Sequence, residues 1–207
     1  MRTTHRVGIA AMAGLALVAP ALMTTSAQAN TGDLVAHLQP VALNGVHGGG
    51  TAWVTVRGTN VEVSMAASGL LADAPHAAHI HFGATARHEC PLATDDSDGS
   101  GTLTTTEGAP AYGPVVVSLT KTGDTSPASA LAIDRFDTAP GGTLSYERGH
   151  IKVSQTVAKA ISDGQAVIVI HGVDHNGDGA YDGSTPSDLD PSLPTEATDP
   201  ALCGAVR

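Results

Sequence analysis

The chain has 207 residues, is 42% hydrophobic but only 3% aromatic, and sets 10 Lys and Arg against 20 Asp and Glu, a formal charge of −10 at pH 7. That balance argues against nucleic acid and anionic membrane surfaces as partners, since both repel an acidic domain. Two cysteines are an even count, which in an exported chain points to one disulfide.

Export is expected from the first residues. Arg2, His5 and Arg6 make a basic start, an apolar run VGIAAMAGLALVAPALM follows, and Ala27-Gln28-Ala29 has the small-x-small form of a cleavage site. Residues 1–29 are therefore expected to be a signal peptide cut after Ala29, and the mature protein to be secreted. Gly14 and Pro20 interrupt the run, which argues against membrane insertion. Loss of Arg2 and Arg6 leaves 8 Lys and Arg against 20 Asp and Glu, a formal charge of −12. Residues 30–207 are long enough to build one domain with its own core.

Short β-branched runs recur between turn residues, and helix signal is scarce. Strands are expected at Thr51–Val56, Val61–Ala66, His79–Phe82, Val115–Leu119, Ala130–Arg135, Leu144–His150 and Val167–His171. VTVRGTNVEV alternates as a hairpin with one buried face, and one helix is expected at Val157–Ile161, capped by Ser154 and stopped by Gly164. The pattern predicts an all-β protein, a Greek-key antiparallel sandwich or barrel with long acidic loops. Residues 183–202 hold four prolines and few large apolar groups, and read as an irregular arm.

Chemistry concentrates in three places. His79 and His81 stand two apart, so on a strand both rings leave one face, roughly 6–7 Å apart at Cα. His171 ends the apolar run VIVIH and offers a distant third imidazole. Three imidazoles with an open position suit copper on affinity grounds. His76 is off the strand period and is expected to support a ligand rather than be one.

The stretch 96–107, DSDGSGTLTTTE, places Asp96, Asp98, Ser100, Thr104 and Glu107 at the ligand positions of a calcium loop, with Gly101 at the sharp turn. Gly108 and Pro110 are expected to block the exiting helix such loops usually have. A second candidate, DHNGDGAYD at 174–182, offers Asp174, Asn176, Asp178 and Asp182, but Thr185 stands where the closing carboxylate belongs. Calcium in either loop would be structural. No nucleophile elbow or phosphate loop occurs.

Gly69-Leu70, His76, His79 and His81 in HAAHIHFG, then Cys90, then His171 in VIVIH and Cys203-Gly204 in LCG resemble, in order, the copper/zinc superoxide dismutase family. The resemblance implies copper at His79, His81 and His171, a Cys90–Cys203 disulfide and a small inorganic substrate. The family's bridging and zinc-binding histidines have no counterpart, since no histidine lies between Cys90 and Tyr146. Nor does an arginine precede Cys203 in TDPAL. Zinc binding of the family type is therefore not expected. HAAHIHFG with GPVVVSL at Gly113–Leu119 is also similar to the CHRD domain, a secreted β module not established as enzymatic. Three functions stand open: copper-dependent superoxide dismutation, a non-catalytic calcium-stabilised extracellular binding module for an unknown protein or surface ligand, and a copper carrier.

Overall fold

The computed structural model describes residues 34–207; the signal peptide expected at 1–29 lies outside the described residues. Eight strands form one antiparallel sheet: β1 (Leu34–Pro40), β2 (Gly49–Arg57), β3 (Asn60–Ser68), β4 (Ala78–His81), β5 (Val115–Ser118), β6 (Thr143–Lys152), β7 (Val167–His171) and β8 (Pro200–Ala205). Their order across the sheet is β5-β4-β7-β8-β1-β2-β3-β6. The expectation of an all-β antiparallel architecture is met, as a single curled sheet.

β1 joins the two halves. It pairs with β2 from Leu34↔Val54 to Leu38↔Gly50 and then, through its last two residues, with β8 at Gln39↔Cys203 and Pro40↔Leu202. The sheet curls at this point, and side chains from both halves meet in one core. Val54, Val61, Val63, Met65, Leu144 and Tyr146 from one half pack in the same cluster as Ile80, Ile168, Ile170 and Leu202 from the other.

The β2–β3 hairpin follows directly from the sequence. Arg57 pairs with Asn60, so the turn is Gly58-Thr59, and Gly58 takes the positive φ of 62° that a tight hairpin turn demands. β3 alternates buried and exposed positions, as a strand with one wet face must. β4 and β7 differ: every one of their residues is buried. Their even-numbered residues Ile80, Ile168 and Ile170 enter the main core, while Val167 and Val169 join Val41, Leu103, Tyr112 and Cys203 in a second cluster. These two strands are thus covered on both faces.

Three helices are present among the described residues: α1 (Thr105–Tyr112), α2 (Gln155–Ser162) and α3 (Thr195–Thr198). α2 contains the expected helix, and Ser154 caps it by accepting from the Val157 N–H. α1 corrects the expectation that Gly108 and Pro110 exclude a helix after the first acidic loop. Thr104 and Glu107 form a reciprocal capping box, and the Tyr112 hydroxyl donates to Thr105 O at 2.8 Å. These contacts outweigh the single N–H that Pro110 withholds.

Two further corrections concern extended segments. Ala130–Arg135 is not a strand; 3₁₀ turns occupy 127–129 and 133–135. Asp124 gathers the hydroxyls of Ser126 and Ser129, each at 2.6 Å, and this local knot bends the chain away from a sheet. The arm 183–202 is not wholly irregular: it contains α3 and the start of β8, where Ala201 and Leu202 are fully buried. The Cys90–Cys203 disulfide spans 113 residues and ties this segment to the body.

Candidate metal centre

Pairing of β4 with β7 assembles the three histidines. His79 faces Val169 and His81 faces Val167, while His171 lies two residues past Val169 on the same strand face. Side chains two apart on a strand share a face, so all three rings enter the outer layer together. Ring centroids stand 5.7 Å apart for His79 and His81, 5.0 Å for His79 and His171, and 5.9 Å for His81 and His171. One ligand nitrogen from each lies within 4.8 Å of the other two, and all three side chains are buried.

Each ring is fixed by a backbone carbonyl at its far nitrogen. His79 Nε2–H donates to Ala130 O at 3.0 Å, His81 Nδ1–H to Gly113 O at 2.8 Å, and His171 Nδ1–H to Thr198 O at 2.7 Å. A carbonyl only accepts, so each bond sets the tautomer. The remaining nitrogens, His79 Nδ1, His81 Nε2 and His171 Nε2, therefore carry lone pairs, and these three buried atoms have no hydrogen-bond partner among the described residues. Buried polar atoms are normally satisfied. Three orphaned lone pairs aimed at one another are a donor set, and carbonyl-braced imidazoles are the usual form of metal-ligating histidine.

Electrostatics agree. Burial drives all three rings towards the neutral form a metal needs. His79 falls well below its ordinary value, by burial and then by the neighbouring His171 and His81. His81 falls to about 3 through burial and His171, and His171 to about 4 through burial alone. Together, the three rings would make a costly hole in the core without a ligand.

His76 is buried but does not reach the donor cluster. Its Nδ1 lies 2.8 Å from His171 O and its ring meets the Tyr181 hydroxyl, so it braces the end of β7 through the main chain.

A cavity of about 420 Å³ opens over the three rings. Thr105, Ala109 and Tyr112 of α1, Leu131 and Ile133, and Leu189, Leu193 and Ala197 wall it. No Lys, Arg, Asp or Glu side chain lines it among the described residues.

The acidic loops have one shared geometry. In the first, Asp96 Oδ1 accepts from the N–H groups of Gly99 and Ser100, and Asp96 Oδ2 from Gly101. In the second, Asp174 Oδ1 accepts from Gly177 and Asp178, and Oδ2 from Gly179. Glu107 closes the first loop, with Oε1 on the Ser97 N–H and Oε2 on the Thr104 N–H. Asp96, Asp98 and Glu107 bring carboxylate oxygens within 4.8 Å of one another. Ser100 lends its N–H to both aspartates of that loop.

The second loop holds a residue that the sequence did not single out. Glu196 of α3 places Oε1 on the His175 N–H and Oε2 on the Asp182 and Gly183 N–H groups. His175 and Asp182 hold the same loop positions as Ser97 and Thr104, which Glu107 engages in the first loop. A carboxylate from the arm thus stands where Thr185 offers none. Burial raises the Glu196 carboxyl, but the backbone donors around it prevail and hold it below the usual carboxylate range. A separation of 14 residues from Asp182 hid it from a twelve-residue pattern.

The model of the CHRD domain matches residues 23–180, about three quarters of the chain. The chain belongs to the CHRD domain family. The CHRD match takes in Asp96, Asp98, Asp174 and Asp178 of the acidic loops and all three histidines, and it ends before Asp182, α3, Cys203 and Glu196. No curated protein matches the chain.

Proposed function

We propose that this CHRD-family chain is a secreted, non-catalytic binding module that holds copper at His79, His81 and His171 and is stiffened by calcium in its two acidic loops. The observation that carries the copper reading is the convergence of three unpartnered, buried imidazole nitrogens. Copper stands above the other first-row divalent ions, zinc included, in affinity for such nitrogen donors. Calcium is supported by oxygen donors at alternate positions and by the closing carboxylates Glu107 and Glu196. Secretion is supported by the disulfide and by the sequence pattern of residues 1–29.

Superoxide dismutation has less support. The cavity presents no cationic side chain to an anionic substrate, and the whole chain is acidic. A copper carrier has less still, because ligands braced by three carbonyls and buried in the outer layer favour retention over transfer.

The test is metal analysis of purified residues 30–207. We expect one copper per chain with a nitrogen-rich EPR spectrum, lost in His79→Ala, and no consumption of superoxide above free-protein background. A zinc-selective protein, or copper retained in His79→Ala, overturns the assignment; rapid superoxide consumption overturns the non-catalytic reading alone.

A further inference from the structure

A metal held by three imidazoles would have room for a further ligand, and His79, His81 and His171 all line the cavity. The surroundings of the three rings decide what that ligand can be. The cavity's volume of about 420 Å³ falls within the range of small-molecule pockets, about 300–1,000 Å³. It is far larger than a water or a diatomic ligand requires.

Its walls are apolar. Ala109 and Tyr112 come from α1, Ile133 from the turn that follows the His79 anchor, and Leu193 and Ala197 from the arm. Leu131 and Leu189, also lining it, are large apolar residues that stay substantially exposed, at 42% and 46%. Exposed leucines at a cavity mouth leave apolar surface for a ligand to cover. The lining residues with polar side chains are Thr105, Thr106, Thr198, Tyr112 and the three histidines. An anion entering this space would meet no cationic side chain, only the metal itself, and would gain nothing from the hydrocarbon walls. A neutral molecule would lose little and gain apolar contact.

Resting on the copper reading above, we infer that the cavity takes a small uncharged organic molecule with an apolar body and a single nitrogen or sulfur donor, which completes the coordination of the metal at His79, His81 and His171. The donor end supplies direction and the apolar walls supply buried contact, the usual division of labour in small-molecule sites. No bond is made or broken in the ligand.

The experiment uses the copper-loaded protein and three probes, 4-phenylimidazole, imidazole and azide, each titrated while the copper visible band and EPR spectrum are recorded. Copper content after desalting shows that the probe has not stripped the metal. We expect 4-phenylimidazole to bind about tenfold or more tightly than imidazole, since burying one aromatic ring suffices for such a ratio, and more tightly than azide, which has no apolar body to bury. Leu189→Asp should cut the phenylimidazole preference to about threefold or less, with copper content unchanged, and Leu189→Met should restore it. Full copper loading with equal affinities for the two imidazoles, or with azide tightest, overturns this inference and leaves the copper reading standing. A protein that takes up no copper overturns both. Leu189 is exposed, so its aspartate variant should fold.

Discussion

Three side chains set the chemistry, and each is specified by a neighbour that its own sequence position does not reveal. The His-x-His spacing placed two rings on one strand face, and that inference needed only strand geometry. The tautomers came from elsewhere: Ala130, Gly113 and Thr198 supply carbonyls from three unrelated segments. Backbone acceptors leave no residue-type signature, so they were invisible in the chain. Gly113 shows what such a contact requires. It has φ of 85°, and an added Cβ would stand 2.5 Å from Gly83 N. Gly113→Ala should therefore destabilise the fold by more than about 1 kcal/mol and displace the carbonyl that orients His81, read as a lower urea midpoint and a changed copper EPR signal. The histidines also make the metal-free protein sensitive to acid. Their folded values lie below the ordinary 6.5, with His171 at about 4 and His81 at about 3. Above pH 7 the rings are neutral in both states and contribute nothing. As pH falls through 6.5 the unfolded chain takes up protons that the folded chain refuses, so stability drops. The slope is about 1.4 kcal/mol per pH unit for each such histidine. Urea midpoints without metal should fall steadily from pH 7 to pH 5, less steeply in His171→Gln; a flat profile would contradict this account.

At the level of elements, regular patterns were legible and small-residue segments were not. β2, β3, β6 and β7 alternate or run apolar, and their strands lie close to where the sequence placed them. β8, PALCGA, has a proline and three small residues, and it is a strand because β7 and β1 flank it and Cys203 fastens it. β1 is similar, with His37, Gln39 and Pro40 blurring its pattern. Tertiary pairing overrode local preference in both. The acidic loops show the converse limit. Asp96 to Glu107 fits a pattern contained in twelve residues, so it could be read, whereas Glu196 reaches the second loop from another element. The two carboxylates make separable contributions. Calorimetric titration should find two calcium sites in the intact chain, one in Glu107→Gln and one in Glu196→Gln. Glu196→Gln should also lower stability in the presence of chelator, by about 1–3 kcal/mol. A buried carboxylate that accepts from three N–H groups cannot be matched by one amide oxygen. One site lost in neither variant would remove calcium from these loops.

Across the whole molecule, the outer layer over β4 and β7 is assembled from parts distant in the chain, and the arm is what closes it. α3 contributes Thr198, which holds His171, and Glu196, which holds the second acidic loop. Thr105, the first residue of α1, donates to Thr198 O at 2.6 Å and so links the first loop's helix to the same point. The arm is rich in proline and poor in core residues, so hydrophobic burial gives it limited adhesion. Covalent attachment carries the remainder. Cys203 lies beside this layer in the cluster with Tyr112, Val167 and Val169. Closing 113 residues, the disulfide restricts the unfolded chain by about 4–5 kcal/mol on the chain-entropy view. Replacing both cysteines, Cys90→Ser with Cys203→Ser, should lower the melting temperature by about 10–20 °C. Its effect should not be uniform. Hydrogen exchange should accelerate first in α3 and β8, which depend on the tether, and later in the β2–β3–β6 half, whose long ladders do not. Copper retention should fall alongside α3 protection, because His171 loses its orienting carbonyl when Thr198 moves. Uniform loss of protection across the sheet would mean that the disulfide stabilises the domain as a whole and that the arm has no separate role in orienting the three histidines.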